Sequence, residues 1–442
     1  MSHQLGRRQA IVWAGVDPAR IRPEDLEQLV YVGGDLGPAG RAGEVDDQAA
    51  KMLFALLKAN QGRRRAMVIE VAGGVLDNAA RTDAKTIWRA LLALVCADEL
   101  RKAELYCQRL TLSTDLMVRA AAEVMLARVY ARAGRSSQAV DLLLPLIRNQ
   151  LPRRLEPLAI AWLASALVDL GELEQATGLL RDWRYDGQLD LAHGRAELLA
   201  SRGVLQLATG RFDAAYEDFC ASGRELTDWA VINPGVVPWR SLAALCAHMT
   251  GRDLLARALA QDDLAASRTW GAARTVGFAH QMSARVIEDE SSRLATLREA
   301  ESNLAGSGAL LDLVRTRYDL AVVLAGQGDD VLAAEELNLA QGDAAAIGNQ
   351  LWNGRITTAL AQLDSSSSSG RLSRQEAAVA REVQPGRTNR EIAERMHLTV
   401  RTIEFHLSSV YRKLGITGRS ELRQAMILTH DGSRARLQPI VW

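Results

Sequence analysis

Between residues 45 and 363 the chain repeats one rhythm of apolar and polar positions. Glycines at 134, 171, 210, 251 and 328 each close an apolar run of helical period and precede another, with spacings of 37, 39, 41 and 77 residues, the last being twice a repeat. Seven residues before them stand Ala127, Ala164, Gly203, Ala244 and Ala321, and five residues after them Ala139, Ala176, Ala215, Ala256 and Ala333. Nine after come Leu143, Leu180, Phe219, Ala260 and Leu337. Small residues at fixed points on two helices let the pair approach closely, and the larger one fills the gap to the next pair. Segments around Gly62, Asp98 and Asp289 fit the spacing more poorly and read as degenerate or capping units. The pattern predicts an all-α fold, with about eight helical hairpins over residues 45–363 stacked as an α-solenoid.

A different rhythm begins near residue 371. Ile403, Leu407, Val410 and Leu414 recur at the spacing of one buried helix face, which leaves Arg401, Glu404, Phe405, Ser408 and Arg412 on an outward stripe. Ile392, Ala393 and Met396 form a shorter inward face just upstream, and Thr388 with Glu391 is a capping box at its start. The break at 397–399 is too short for a loop; Thr399 can cap the second helix and Gly415 can stop it. Two helices joined this tightly form a helix-turn-helix, whose second helix enters the major groove of DNA. An earlier helix opens on the capping box Ser373–Glu376 and packs through Ala377, Ala378, Ala380 and Val383, ending at Pro385-Gly386. A fourth covers residues 419–427, with Leu422, Ala425 and Met426 apolar.

The runs LSRQE, TNREIAERM, LTVRTIEFHLSSVYRKLGI and SEL resemble the four-helix LuxR-type DNA-binding domain, and TIEFHL with VYRKLGI is closest to the large LuxR-type regulators of actinobacteria. The family usually has an apolar residue after the glycine where Arg387 stands, and Gln384-Pro385 is also a departure. The hairpin array in turn resembles tetratricopeptide repeats, without their complete tryptophan-glycine-tyrosine signature. The expected organisation is an unassigned segment 1–44, the solenoid 45–363, a serine-rich linker 364–370, the helix-turn-helix domain 371–428 and a tail 429–442.

In the resembled family the groove-facing residues match Glu404, Phe405 and Ser408, the same three that the stripe argument reaches. Glutamate facing a polyanion takes the cytosine amino group, or else pairs with Arg401 or Ser408 on the helix surface. Near the turn and helix ends, Thr399, Arg401, Thr402, Arg412, Lys413 and Arg419 are the expected phosphate contacts. The resemblance implies a homodimer on paired half-sites of double-stranded DNA through the fourth helix, here Leu422, Ala425 and Met426, whose other possible role is packing within the domain. It also implies a pathway-specific regulator, an activator working with RNA polymerase.

Charge sharpens the division. Formal net charge is zero over the 442 residues, yet residues 370–429 hold 11 Lys/Arg against 6 Asp/Glu, whereas residues 1–369 hold 40 against 46. A basic module on an acidic body is what a local phosphate-binding site requires. Larger members of the resembled family carry an ATP-binding domain, but none of the five lysines follows a glycine, so no phosphate-loop motif exists. The glycine-rich stretch 33–43 lies beside Asp46-Asp47 and reads as a loop. Residues 1–44 are too few for a receiver domain, and no Gly-x-Ser-x-Gly occurs. Cys96, Cys107, Cys220 and Cys246 are widely spaced in apolar runs, as buried thiols, and His193, His248 and His280 lack metal-ligand spacing. No catalytic residue, metal or cofactor is expected; an enzyme would need residues 1–44 to complete its site. No run of 18 apolar residues occurs, and the expectation is a cytoplasmic protein without a membrane partner. A solenoid forms a groove, so a small molecule or protein is the expected ligand of this region. A second reading is a solenoid adaptor for protein assembly, with DNA binding secondary.

Overall fold

The computed structural model describes residues 47–148, 151–189, 194–368, 374–383, 386–396, 398–419, 421–422 and 437. The segment 1–44 lies outside them, as does the expected tail apart from residue 437. By their contacts they fall into two compact units, one holding residues up to 313 together with 347–349, the other 314–346 with 350–440.

The described elements are helical. Seven hairpins fill the first unit: α1 (Asp47–Asn60) with α2 (Arg65–Asp77), α3 (Ala84–Cys96) with α4 (Leu100–Leu110), α5 (Leu116–Arg132) with α6 (Ser136–Arg148) and α7 (Glu156–Asp169) with α8 (Leu173–Asp182). They continue as α9 (Arg195–Ala208) with α10 (Phe212–Asp228), α11 (Trp239–Met249) with α12 (Asp253–Trp270) and α13 (Ala273–Arg285) with α14 (Glu290–Leu304). An eighth pair, α15 (Leu310–Gln327) with α16 (Asp330–Ala346), precedes a single helix α17 (Gln350–Ser368), which runs into the serine stretch that the sequence reading assigns to the linker.

The repeat positions are the contacts between helices. Ala127, Ala164, Ala244, Ala321 and the five alanines after the turn are fully buried, as are Leu143, Phe219 and Leu337. Gly203 stands where the other repeats have alanine because Phe219 presses on it: a Cβ there would lie 2.7 Å from the ring. First helices are enclosed almost all round, with every residue of α7 from Pro157 to Ala164 buried.

Each repeat glycine takes a left-handed backbone, with φ between 75° and 92° at Gly134, Gly171, Gly210, Gly251 and Gly328. Around it the hydrogen bonds repeat: Gly134 N–H to Ala131 O at 3.0 Å and Arg135 N–H to Tyr130 O at 2.8 Å, a glycine-closed helix end. Two of the poorly fitting segments resolve differently. Asp98 occupies the glycine position of hairpin 2 with φ 57°, and the same two bonds run from Asp98 to Val95 and from Glu99 to Leu94. Hairpin 7 instead turns on Asp289, whose carboxylate caps α14 by accepting from Ser292 N at 2.8 Å.

Within the first unit the turns dock on one another at a nearly constant separation. Asn233 Nδ2 donates to Ala59 O (2.7 Å), Trp270 Nε1 to Cys96 O (2.8 Å) and Asn349 Nδ2 to Asp169 O (3.0 Å), pairs 174, 174 and 180 residues apart. Asp98 Oδ2 accepts from both N and Oγ1 of Thr275 at 2.9 and 2.7 Å, and a Cβ on Gly134 would meet Leu311 N at 2.7 Å. The internal turn of hairpins 1 to 4 therefore seats on the connection that follows the hairpin four places later.

The helix-turn-helix region forms its own small core. Helices α18 (Arg374–Val383), α19 (Asn389–Met396) and α20 (Val400–Leu414) bury Val379, Ala380, Val383, Ile392, Ala393, Ile403, Leu407 and Val410, joined by Leu422. In α18 the buried face is carried by Val379 with Ala380 and Val383, while Ala377 and Ala378 keep partial exposure. No helix among the described residues is long and apolar enough to cross a membrane.

Candidate nucleic-acid interface

Local signals set α19 and α20. Thr388 and Glu391 close their capping box, Thr388 N–H donating to Glu391 Oε2 at 2.6 Å and Glu391 N–H to Thr388 Oγ1 at 3.3 Å. Those bonds hold the Glu391 carboxyl below the usual carboxylate range. Thr399 caps α20, accepting from Thr402 N–H at 3.1 Å, and Gly415 ends it at φ 64°. Only Leu398 and Thr399 separate position 397 from the first residue of α20, so the two helices are held in one fixed relation.

Burying Ile403, Leu407 and Val410 turns the opposite stripe outward: Arg401, Glu404, Phe405, Ser408 and Arg412 are exposed, Phe405 by 63%. An apolar ring so exposed on a charged helix face has no packing role within the domain. His406 meets it edge-on, with ring centroids 5.9 Å apart. The Ser408 hydroxyl donates to Glu404 O at 2.9 Å, which leaves it to present lone pairs outward. Among the described residues the Glu404 carboxylate pairs with neither Arg401 nor Ser408.

The expected phosphate contacts divide into two groups. Thr399, Arg401, Thr402 and Arg412 stand at the ends or on the open face of α20, Thr402 half-buried and the other three exposed. Lys413 turns inward instead, its Nζ 2.9 Å from Glu376 Oε2 in an ion pair where both side chains are about nine-tenths buried. Arg419 donates to Asn389 Oδ1 at 2.7 Å and to Arg387 O, and so ties the fourth-helix segment to the start of α19. Sequence periodicity assigns a face but not a partner, and Glu376 lies 37 residues away. Arg387, the departure from the resembled pattern, pairs with Glu382 Oε2 at 2.5 Å, and Arg395 joins the same oxygen at 3.1 Å. Leu422 is fully buried in the domain core, and Ala425 and Met426 lie outside the described residues.

Known proteins are similar to this region and, in a separate comparison, to most of the chain. Residues 370–426 match the family described as bacterial regulatory proteins, luxR family. The transcriptional regulatory protein ComA of Bacillus subtilis (strain 168) is 39% identical over 61 residues, a stretch covering 14% of this chain and 28% of that relative's length. Among solved structures, a Rap protein complexed with Competence and Sporulation Factor covers 81% of this chain and 99% of its own at 12% identity and a TM-score of 0.44. The apo form of RapI covers 76% and 96% at 12% identity and a TM-score of 0.33. Following an all-helical array of hairpins in the chain, then, residues 370–426 are a helix-turn-helix domain of the luxR family.

Proposed function

We propose that the chain is a DNA-binding transcriptional regulator, a pathway-specific activator, that reads an operator with α20 and senses a ligand or partner with its hairpin array. The observation that supports it best is the outward stripe of α20, where a carboxylate, an exposed phenylalanine and a serine face outward between two arginines. Glu404 takes the amino group of a cytosine, Phe405 covers a thymine methyl, and Ser408 accepts from a base amino group. Thr399, Arg401, Thr402 and Arg412 hold phosphates beside the N-terminus of α20, whose first N–H groups favour anions. Lys413 and Arg419 act one step back by fixing α20 and α19. Two copies bind paired half-sites, and RNA polymerase is the partner recruited.

The test is a mobility shift of the whole chain on duplexes from its own gene neighbourhood at physiological salt. A specific shift is expected; its absence favours the assembly adaptor. Glu404→Ala should lose roughly 1–3 kcal/mol of discrimination at one C·G pair while nonspecific binding holds or tightens. Selection of an unchanged operator from a randomised pool by that variant sinks the base-reading role.

A further inference from the structure

The open faces of the second helices are mostly charged: α10 exposes Asp213, Glu217 and Arg224, and α14 exposes Glu290, Arg298 and Glu299. Helix α16 departs from this. Val331, Leu332 and Leu339 are 65%, 45% and 51% exposed, and Glu335 is the one charged residue among the exposed positions of the helix. Its other acids are turned away, Glu336 buried and Asp343 paired with Arg317. Apolar side chains scattered singly over a surface need no explanation, but three on one helix face beside one charge form a contiguous patch, the mark of an association surface.

Bulk is unevenly distributed along this face. Val331 and Leu332 stand in the first turn, whereas the exposed positions of the last two turns are the small residues Gly342, Ala345 and Ala346. Glycine disfavours a helix interior, and a Cβ at Gly342 would meet nothing within 4 Å, so nothing inside the chain calls for it. One helix is narrow for an interface, about 20–30 residues a side being usual. Beside it α17 continues the uncharged surface through Gly354, Thr357, Thr358 and Ala361, and Gln341 Nε2 donates to Thr357 Oγ1 at 3.2 Å between the two helices.

We infer that α16 is the surface through which two copies of the chain associate, helix against helix in an antiparallel twofold pair. Size selects that partner. With the axis at Asn338 and Leu339, Val331 and Leu332 of one copy lie on Ala346 and Ala345 of the other, and Glu335 lies on Gly342, so each large side chain meets a small one. A parallel pair would set large on large at one end and leave a gap at the other. Charge agrees with the antiparallel choice. A twofold sets like groups face to face near its axis, where Asn338 and Leu339 carry no charge, and it holds the two Glu335 carboxylates about seven residues apart along the helix. That is on the order of 10 Å, beyond the screening length of about 8 Å at physiological salt. The inference deepens, and rests on, the reading in which two copies bind paired half-sites. For that pairing the expected fourth-helix contact lacks Leu422, which is buried in the domain core, whereas α16 belongs to the same compact unit as residues 350–440.

Sedimentation equilibrium of the whole chain without DNA tests it, and a dimer of micromolar affinity is expected. Leu339→Glu sets two carboxylates at the axis and should weaken that dimer by at least about tenfold. Gly342→Glu, at a position open within the chain, opposes Glu335 of the second copy and should do the same. Adding Glu335→Lys to Gly342→Glu should restore the dimer, because lysine then faces glutamate across the pair. Circular dichroism should show the wild-type helix content in every variant. A wild type that stays monomeric, a Leu339→Glu chain that dimerises like the wild type, helix content that falls together with the dimer, or no restoration by Glu335→Lys each overturns the interface. A mobility shift separates the two levels. A chain that dimerises through α16 and shifts no duplex keeps the interface and removes the operator reading, whereas paired half-sites bound equally by wild type and Leu339→Glu keep the reading and remove the interface.

Discussion

The turn of hairpin 3 and the turns of hairpins 5 and 6 share one backbone and have opposite surroundings. Gly134, Gly210 and Gly251 all lie at φ between 75° and 85°. A Cβ on Gly134 would strike the backbone of Leu311, whereas a Cβ on Gly210 or Gly251 would meet nothing within 4 Å. The same residue thus answers two separate demands, a left-handed backbone everywhere and a close approach only where a later connection docks on the turn. Hairpin 2 shows the demands coming apart. Asp98 accepts the left-handed strain and uses its side chain to hold Thr275 and face Arg132.

The largest break in this comparison should come from Asp98→Ala. It strands a buried Arg132 and removes both bonds to Thr275, so the solenoid should lose about 3–5 kcal/mol, read as a fall in its thermal midpoint. Gly134→Ala adds overpacking against backbone to left-handed strain and should cost about 3 kcal/mol in the same measurement. Asp263 provides a contrast of opposite sign. Its carboxyl is 1% exposed, bonded by the Ser241 hydroxyl at 2.6 Å but with no ion pair among the described residues, and burial, partly offset by that bond and by Arg240, pushes it up to about 6. A raised acid is penalised when charged, so its cost to the fold is full above pH 6 and fades as the pH falls toward 4. Asp263→Asn should therefore stabilise by about 1–2 kcal/mol at pH 8, with the gain shrinking across that window. Gly210→Ala, with strain alone, should cost about 1 kcal/mol; a loss as large as that of Gly134→Ala would erase the distinction between docked and open turns.

Much of this was legible in the sequence, for a physical reason. A left-handed helix end and a close helix pair each dictate a residue type at a fixed offset, so Gly134, Ala127 and Ala139 announce hairpin 3 unaided. The docking of turns was not legible, because a pairing such as Asp98 with Thr275 depends on the pitch of the whole stack. The helix-turn-helix divides the same way. Thr388, Thr399 and the stripe through Glu404, Phe405 and Ser408 follow from capping and period, which act within a few residues. Lys413 and Arg419 read as open cations until their partners Glu376 and Asn389 are located, one on another helix and one 30 residues away. The buried face of α18 moved from Ala377 and Ala378 to Val379 because alanines on both sides of Val379 leave the period ambiguous.

The regular offset between docked turns also sets a timetable for synthesis. Each hairpin is built from neighbours in the chain and can form as it emerges, whereas the seat for Ala59 is Asn233, 174 residues later. At a translation rate of roughly 5–20 residues per second the first turn waits on the order of ten to thirty seconds for its seat. During that wait its peptide groups are met by water. The last such seat, Asn349 against Asp169, lies at the end of the array, just before the chain runs on toward the helix-turn-helix domain, so its residues are all synthesised before α20 begins.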